Sequence, residues 1–130
     1  MDDVARVASA LPEVTEGLSY RYRTWKVGKT SFAWDRPLSK ADLKRLGDEP
    51  APTGPLLAVR TDDLHDKEAV LQARPDVCFT IAHFDRYPAV LVRLNDCDLD
   101  SLTELITAAW LAAAPDALAR EFVARTRDAP

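Results

Sequence analysis

Arg21, Arg23, Lys26 and Lys29 follow one another at spacings of two or three residues, interleaved with Tyr20, Tyr22 and Trp25. Guanidinium and ammonium groups hold phosphate oxygens, and aromatic rings stack on bases or sugars, so the pattern has the ingredients of a nucleic-acid contact. The segment from Gly17 to Arg45 carries eight basic residues against two acids, Asp35 and Asp42, in a chain whose formal net charge is −4. Lys40 and Lys44, one helical turn apart, can extend the patch. The same alternation also arises when a strand turns its rings to a core and its charges to water. A pI near 5.1 excludes a general nucleic-acid coat and leaves only a local basic face. The partner this face predicts is DNA, bound weakly and without sequence preference.

A second constellation is His83, Asp85 and Arg86, with Trp25 as a candidate ring beside them. A His next to a carboxylate can move a proton or take part in a ligand pocket. The only other histidine, His65, sits at no metal-ligand spacing from it, so no metal site is expected. The alternative function is therefore a protein- or small-ligand-binding module that uses the sheet face or a pocket near His83. Cys78 alternates with apolar neighbours as a buried thiol would, and Cys97 lies between Asp96 and Asp98, which oppose thiolate formation. Asp96, Asp98 and Asp100 lack the glycine and distal glutamate of a calcium loop. Phosphate-loop, dinucleotide and nucleophile-elbow motifs are missing as well. No catalytic residues and no cofactor are expected.

The chain of 130 residues, 47% of them apolar, fits one domain over residues 1–130. Two cysteines without C-x-x-C spacing suit a reducing compartment, and neither a signal peptide nor a membrane-length apolar run is evident. A monomeric cytoplasmic protein is expected.

The elements that must position these residues follow from periodicity. Val4, Val7, Ala8 and Leu11 predict a helix over 2–11 that Pro12 stops. Strands are predicted over 19–27 and 30–35, joined by Gly28-Lys29 as a two-residue turn. In the first strand a bulge or bend near Arg23-Thr24 is expected, because Trp25 and Val27 fall in the arginine register. In the second, Phe32 and Trp34 share one face, and Ser31, Ala33 and Asp35 the other. A short helix over 39–46 is capped by Ser39 and stopped by Gly47. Strands over 56–60, 77–81 and 89–94 flank a helix capped at Thr61 and ended by Pro75. A strongly amphipathic helix over 99–111 and a last helix after Pro115 complete the chain. Hairpins outnumber βαβ units, which predicts an α+β fold: five strands, mostly antiparallel, with helices on one face and Trp34, Leu105 and Trp110 in the core.

An ordered set of strings carries a resemblance. It begins with Leu11-Pro12 and Thr15-Glu16-Gly17, then Thr24-Trp25-Lys26-Val27-Gly28-Lys29-Thr30-Ser31-Phe32-Ala33-Trp34. It continues with Leu57-Ala58-Val59-Arg60-Thr61, Phe79-Thr80-Ile81-Ala82-His83-Phe84-Asp85, Tyr87-Pro88-Ala89-Val90-Leu91-Val92 and Ala109-Trp110-Leu111. The set resembles the MmcQ/YjbR family of small bacterial proteins along nearly the whole chain. The resemblance implies a two-layer fold with a curved antiparallel sheet, comparable to frataxin-like and secretion-chaperone-like folds, and a DNA-binding role. Many members carry a Trp where this chain has Tyr87-Pro88-Ala89.

Overall fold

The computed structural model describes residues 1–128. Helix α1 (Asp2–Ser9) leads into strand β1 (Val14–Ser19), followed by β2 (Tyr22–Val27) and β3 (Thr30–Asp35). Helix α2 (Lys40–Leu46), β4 (Leu56–Arg60), α3 (Leu64–Ala73) and the two-residue β5 (Cys78–Phe79) come next. A 3₁₀ turn (Ala82–Phe84), β6 (Ala89–Arg93), a second 3₁₀ turn (Leu94–Asp96), α4 (Leu99–Ala113) and α5 (Asp116–Asp128) finish the chain. The six strands form one sheet in the order β1-β2-β3-β4-β6-β5, every pair antiparallel. The α+β class is as the sequence implies.

Two local expectations change. Residues 19–27 are not one strand: the chain reverses at Tyr20 and Arg21, both with positive φ (53° and 74°), so β1 becomes a sixth strand paired Ser19↔Tyr22 through Val14↔Val27. Two consecutive positive φ values give the backbone twist that a tight two-residue hairpin needs. The irregularity expected at Arg23-Thr24 lies instead across β2 and β3. Trp25 pairs with Ala33 but Lys26 pairs with Ser31, which leaves Phe32 as an extra residue on β3. This bulge turns Phe32 and Ala33 to the same side, both fully buried, and sends Trp34 to the opposite face. The predicted shared face of Phe32 and Trp34 is therefore wrong. The Gly28-Lys29 turn forms as read, with Gly28 at φ +61° and Val27 opposite Thr30.

The main core lies between the sheet and α1, α4 and α5. Trp25, Val27, Phe32, Leu57, Val90 and Val92 from the strands meet Val4, Ala8, Ile106, Ala109 and Trp110 from the helices. Trp110 is fully buried, donates its indole N–H to the Pro12 carbonyl (3.0 Å) and packs against Phe122 on α5 (4.9 Å between ring centroids). Asp98 caps α4 through the Ser101 N–H, and Ser39 with Asp42 forms a reciprocal capping box on α2. Asp63, and not Thr61, caps α3. On the opposite face a smaller cluster of Ala58, Ile81, Phe84, Ala89 and Leu91, joined by Leu38, Phe79 and a half-buried Trp34, covers β4 and β6. Over β1, β2 and β3 that second face stays open. No helix of the described residues is long and apolar enough to cross a membrane.

Candidate ligand-binding site on the open sheet face

In antiparallel pairs directly opposed residues share a face, so the register maps this surface. One row crosses the whole sheet: Gly17, Thr24, Trp34, Ala58, Leu91 and Phe79. The row beside it on the first three strands is Thr15, Lys26 and Ser31, and Ser19 with Tyr22 forms the row on the other side. Above these rows lies a cavity of about 520 Å³. Tyr20, Tyr22, Trp34, Phe84, Tyr87 and His83 give it aromatic walls, and Thr24, Ser31 and the Arg36–Ser39 segment also line it. Trp34 meets Phe84 and Tyr87 edge-on, at 6.5 and 6.3 Å between centroids, and Phe84 and Tyr87 are 5.7 Å apart.

Three polar devices fix the walls. Asp42 is buried on α2, where its carboxylate accepts from the Ser39 N–H (2.8 Å) and from Arg36 (2.9 Å). Burial alone would raise the Asp42 pKa; the Ser39 N–H and the Arg36 guanidinium outweigh it and hold the carboxyl below its ordinary value. Arg36 in turn lies over the Phe84 ring, at 5.7 Å. Lys67, buried on α3, donates its ammonium to the Phe84 carbonyl and to the Tyr87 carbonyl (3.0 Å). Burial pushes the Lys67 pKa down, against the pull of Asp85 and Glu68. Arg60, at the end of β4, donates Nε to the Ser31 carbonyl (3.0 Å) and Nη2 to the Tyr87 hydroxyl (3.2 Å).

The residues singled out from sequence are divided by the fold. Arg23 faces the helix side: it makes a two-point contact with Glu16 (2.9 and 3.1 Å), lies near Asp2 (3.7 Å) and covers the Trp25 ring. The Arg23 hydrogen bond lowers the Glu16 pKa. Lys26, its neighbour in the predicted patch, points to the opposite face, because Trp25 and Val27 on either side of it are core. Arg21 is exposed in the β1–β2 turn and Lys29 in the β2–β3 turn. Lys40 and Lys44 are exposed on α2, which starts beyond the far end of β3 from Lys29, about 20 Å of strand away. The six cations do not converge on one surface.

Of the second constellation, His83 lines the cavity, while Asp85 lines a smaller cleft with Asp42, Arg45 and Glu49, and Arg86 is exposed outside both. Trp25 is no part of the pocket: it is wholly buried on the helix side with its indole N–H on Glu16 (3.1 Å). Trp34 takes the place expected of it, and is correspondingly not a core residue. Sequence reasoning missed Lys67 and Arg60, which no motif marks, and it missed the cavity role of Tyr20 and Tyr22, whose exposure (94% and 42%) was legible only once the β1–β2 turn was known. Cys78 is buried and its thiol is pushed up to about 11 by burial, with Cys97 adding to it; Cys97 is raised by burial and by Asp98. Neither is an activated nucleophile. No group of three or more His, Cys, Asp or Glu able to hold a metal occurs among the described residues.

A six-stranded antiparallel sheet, helices packed on one face and an aromatic-walled cavity on the other define an α+β fold. The chain belongs to the YjbR family, whose model matches residues 9–112. It is 45% identical over 128 residues to an uncharacterized protein of Mycobacterium tuberculosis (strain H37Rv) and to one of Mycobacterium bovis, with 96% of each chain covered. Its fold is similar to the crystal structure of a Deinococcus radiodurans protein of domain family DUF419, at a TM-score of 0.62 and 21% identity over 94% of this chain and 86% of that one.

Proposed function

We propose that this protein is a non-catalytic binding module whose open-face cavity takes a planar aromatic ring. The observation that carries the reading is the cavity itself: walls rich in aromatic rings, near 520 Å³, in the size range of small-ligand sites. Among the described residues His83, the imidazole of the lining, hydrogen-bonds no serine or threonine hydroxyl, which is the reason for reading binding and not turnover. Separation of the basic patch weighs in the same direction. The test is titration of the ¹⁵N-labelled protein with neutral planar rings, namely adenosine, caffeine and indole. The Trp34 indole resonance should shift, while those of Trp25 and Trp110, hydrogen-bonded to Glu16 and Pro12, stay in place. A Trp34 signal unmoved by all three at millimolar concentration refutes the reading.

A second reading, weak DNA binding, keeps one observation in its favour. Arg21, Lys26 and Lys29 are exposed on the β1–β3 hairpins without a carboxylate partner among the described residues. Three phosphate contacts give a slope of log K against log salt of about −2.7. Because Arg23 is engaged with Glu16, Arg21→Ala with Arg23→Ala should flatten that slope by about one unit, not two. No binding to duplex or single strand at low salt removes this reading.

A further inference from the structure

The aromatic row and the row beside it differ in chemistry. Lys26 lies two residues along β2 from Thr24, so the Thr15–Lys26–Ser31 row runs about 7 Å from the Thr24–Trp34 row. Arg60 continues this second row, held against Ser31 and Tyr87. Neither Lys26 nor Arg60 has a carboxylate within ion-pair distance among the described residues, although the chain is acidic overall. Nε and one Nη2 hydrogen of Arg60 are used, which fixes the guanidinium plane and leaves Nη1 and the remaining Nη2 hydrogen as donors. A planar, pre-oriented fork of this kind suits a tetrahedral oxyanion, with Lys26 as a second point charge and the Thr15 and Ser31 hydroxyls as neutral donors.

We propose that the ligand is a nucleoside monophosphate unit, its base against Trp34 and its phosphate on the Lys26–Ser31–Arg60 row. The inference rests on the ring-binding reading above and names the class of ring. A pentose spans the gap between the two rows. Two unpaired cations match a phosphate dianion and exceed what a carboxylate needs. The unit can come from two sources, a free mononucleotide or a nucleotide within a single strand. A duplex presents no free base to the cavity, because its rings are already stacked and paired.

The experiment compares adenosine, AMP, inorganic phosphate and a single-stranded tetradeoxyadenylate by calorimetry, with the Trp34 indole resonance as the site marker. AMP should bind at least about tenfold tighter than adenosine, and its advantage should shrink with salt. Arg60→Met should bring the AMP-to-adenosine affinity ratio down to about one, a readout that stands even where loss of the Arg60 bond to the Tyr87 hydroxyl weakens both ligands alike. Lys26→Met, at an exposed position whose side chain makes no ion pair among the described residues, should lower AMP affinity several-fold with adenosine unchanged. A strand that binds tighter per site than AMP identifies the single strand as the source; an equal or weaker strand identifies the free nucleotide. Adenosine bound with AMP no tighter overturns this inference and leaves the ring pocket standing. Neither nucleoside nor nucleotide bound at Trp34, where a neutral ring such as indole does bind, also overturns it. Failure of every ring overturns both.

Discussion

Replacing Lys67 with Met removes the clamp between α3 and the cavity wall while keeping an unbranched chain of similar length. In the native protein the ammonium is buried and serves two carbonyls, those of Phe84 and Tyr87, on the segment that carries the aromatic wall. Each carbonyl keeps one backbone donor, Tyr87 N–H on Phe84 and Ala89 N–H on Tyr87, so the variant loses two hydrogen bonds from a charged donor, worth about 1.5–3 kcal/mol each. Removing a buried ammonium returns part of this, because its desolvation penalty is of order several kcal/mol. A net loss of about 1–3 kcal/mol is expected in urea unfolding, together with faster hydrogen exchange at Tyr87 N–H, which bonds the Phe84 carbonyl (3.0 Å). The pH dependence supplies an independent check. Burial lowers the folded-state pKa of Lys67 below its ordinary 10.5, so between the two values the unfolded chain binds more protons and stability rises with pH. Lys67→Met lacks this gain, so the stability difference between native and variant should widen as pH climbs toward 10.5. A variant within about 0.5 kcal/mol of the native protein, with unchanged exchange at Tyr87, would refute the clamp.

Trp110→Ala should cost about 3–5 kcal/mol by chemical denaturation, since the ring is fully buried and its N–H bond to Pro12 is lost; under about 1 kcal/mol would contradict its placement. Cys78, raised from 9.0 to about 11, contributes stability that is complete below pH 9 and is lost as pH rises through 11, by up to about 3 kcal/mol, and Cys78→Ala should abolish that alkaline loss. Asp42, held below 3.8, contributes stability present above that value and lost as pH falls through its folded pKa; Asp42→Asn should flatten the acid limb of the pH–stability curve. Arg36→Ala should weaken ring binding as well as stability, because the guanidinium joins Asp42 to the Phe84 wall, and a variant that loses stability alone would separate the two roles.

Elements whose ends are marked by local chemistry were legible in the sequence. Ser39 and Gly47 bound α2 as read, and the Gly28-Lys29 turn falls where a glycine can adopt positive φ. The amphipathic repeat from Leu99 placed Leu105 and Trp110 in the core correctly. What failed depends on tertiary support. Tyr20 and Arg21 are ordinary residues in a conformation that sequence favours for Asn or Gly, so the β1–β2 reversal left no mark. The extra residue Phe32 is equally silent, yet it moves Trp34 from the expected core face to the open one, because one added residue reverses the face of everything beyond it. His83 was singled out by its loop alone and lines the cavity; other lining residues come from β2, β3 and the Arg36–Ser39 segment, too distant in sequence for spacing to connect them.

The sheet has two free edges of unequal kind. At one, β5 offers two residues, too few to template another strand. At the other, β1 offers six residues without a proline, ending near Leu18, which is 75% exposed. Such an edge invites another chain to add itself, and proteins guard against this by setting charges where an incoming strand would have to pack. Glu16, pinned on the helix side of β1 by Arg23 and Trp25, is that charge. Arg23, which the sequence offered to a DNA surface, instead holds in place a charge that an incoming strand would have to bury.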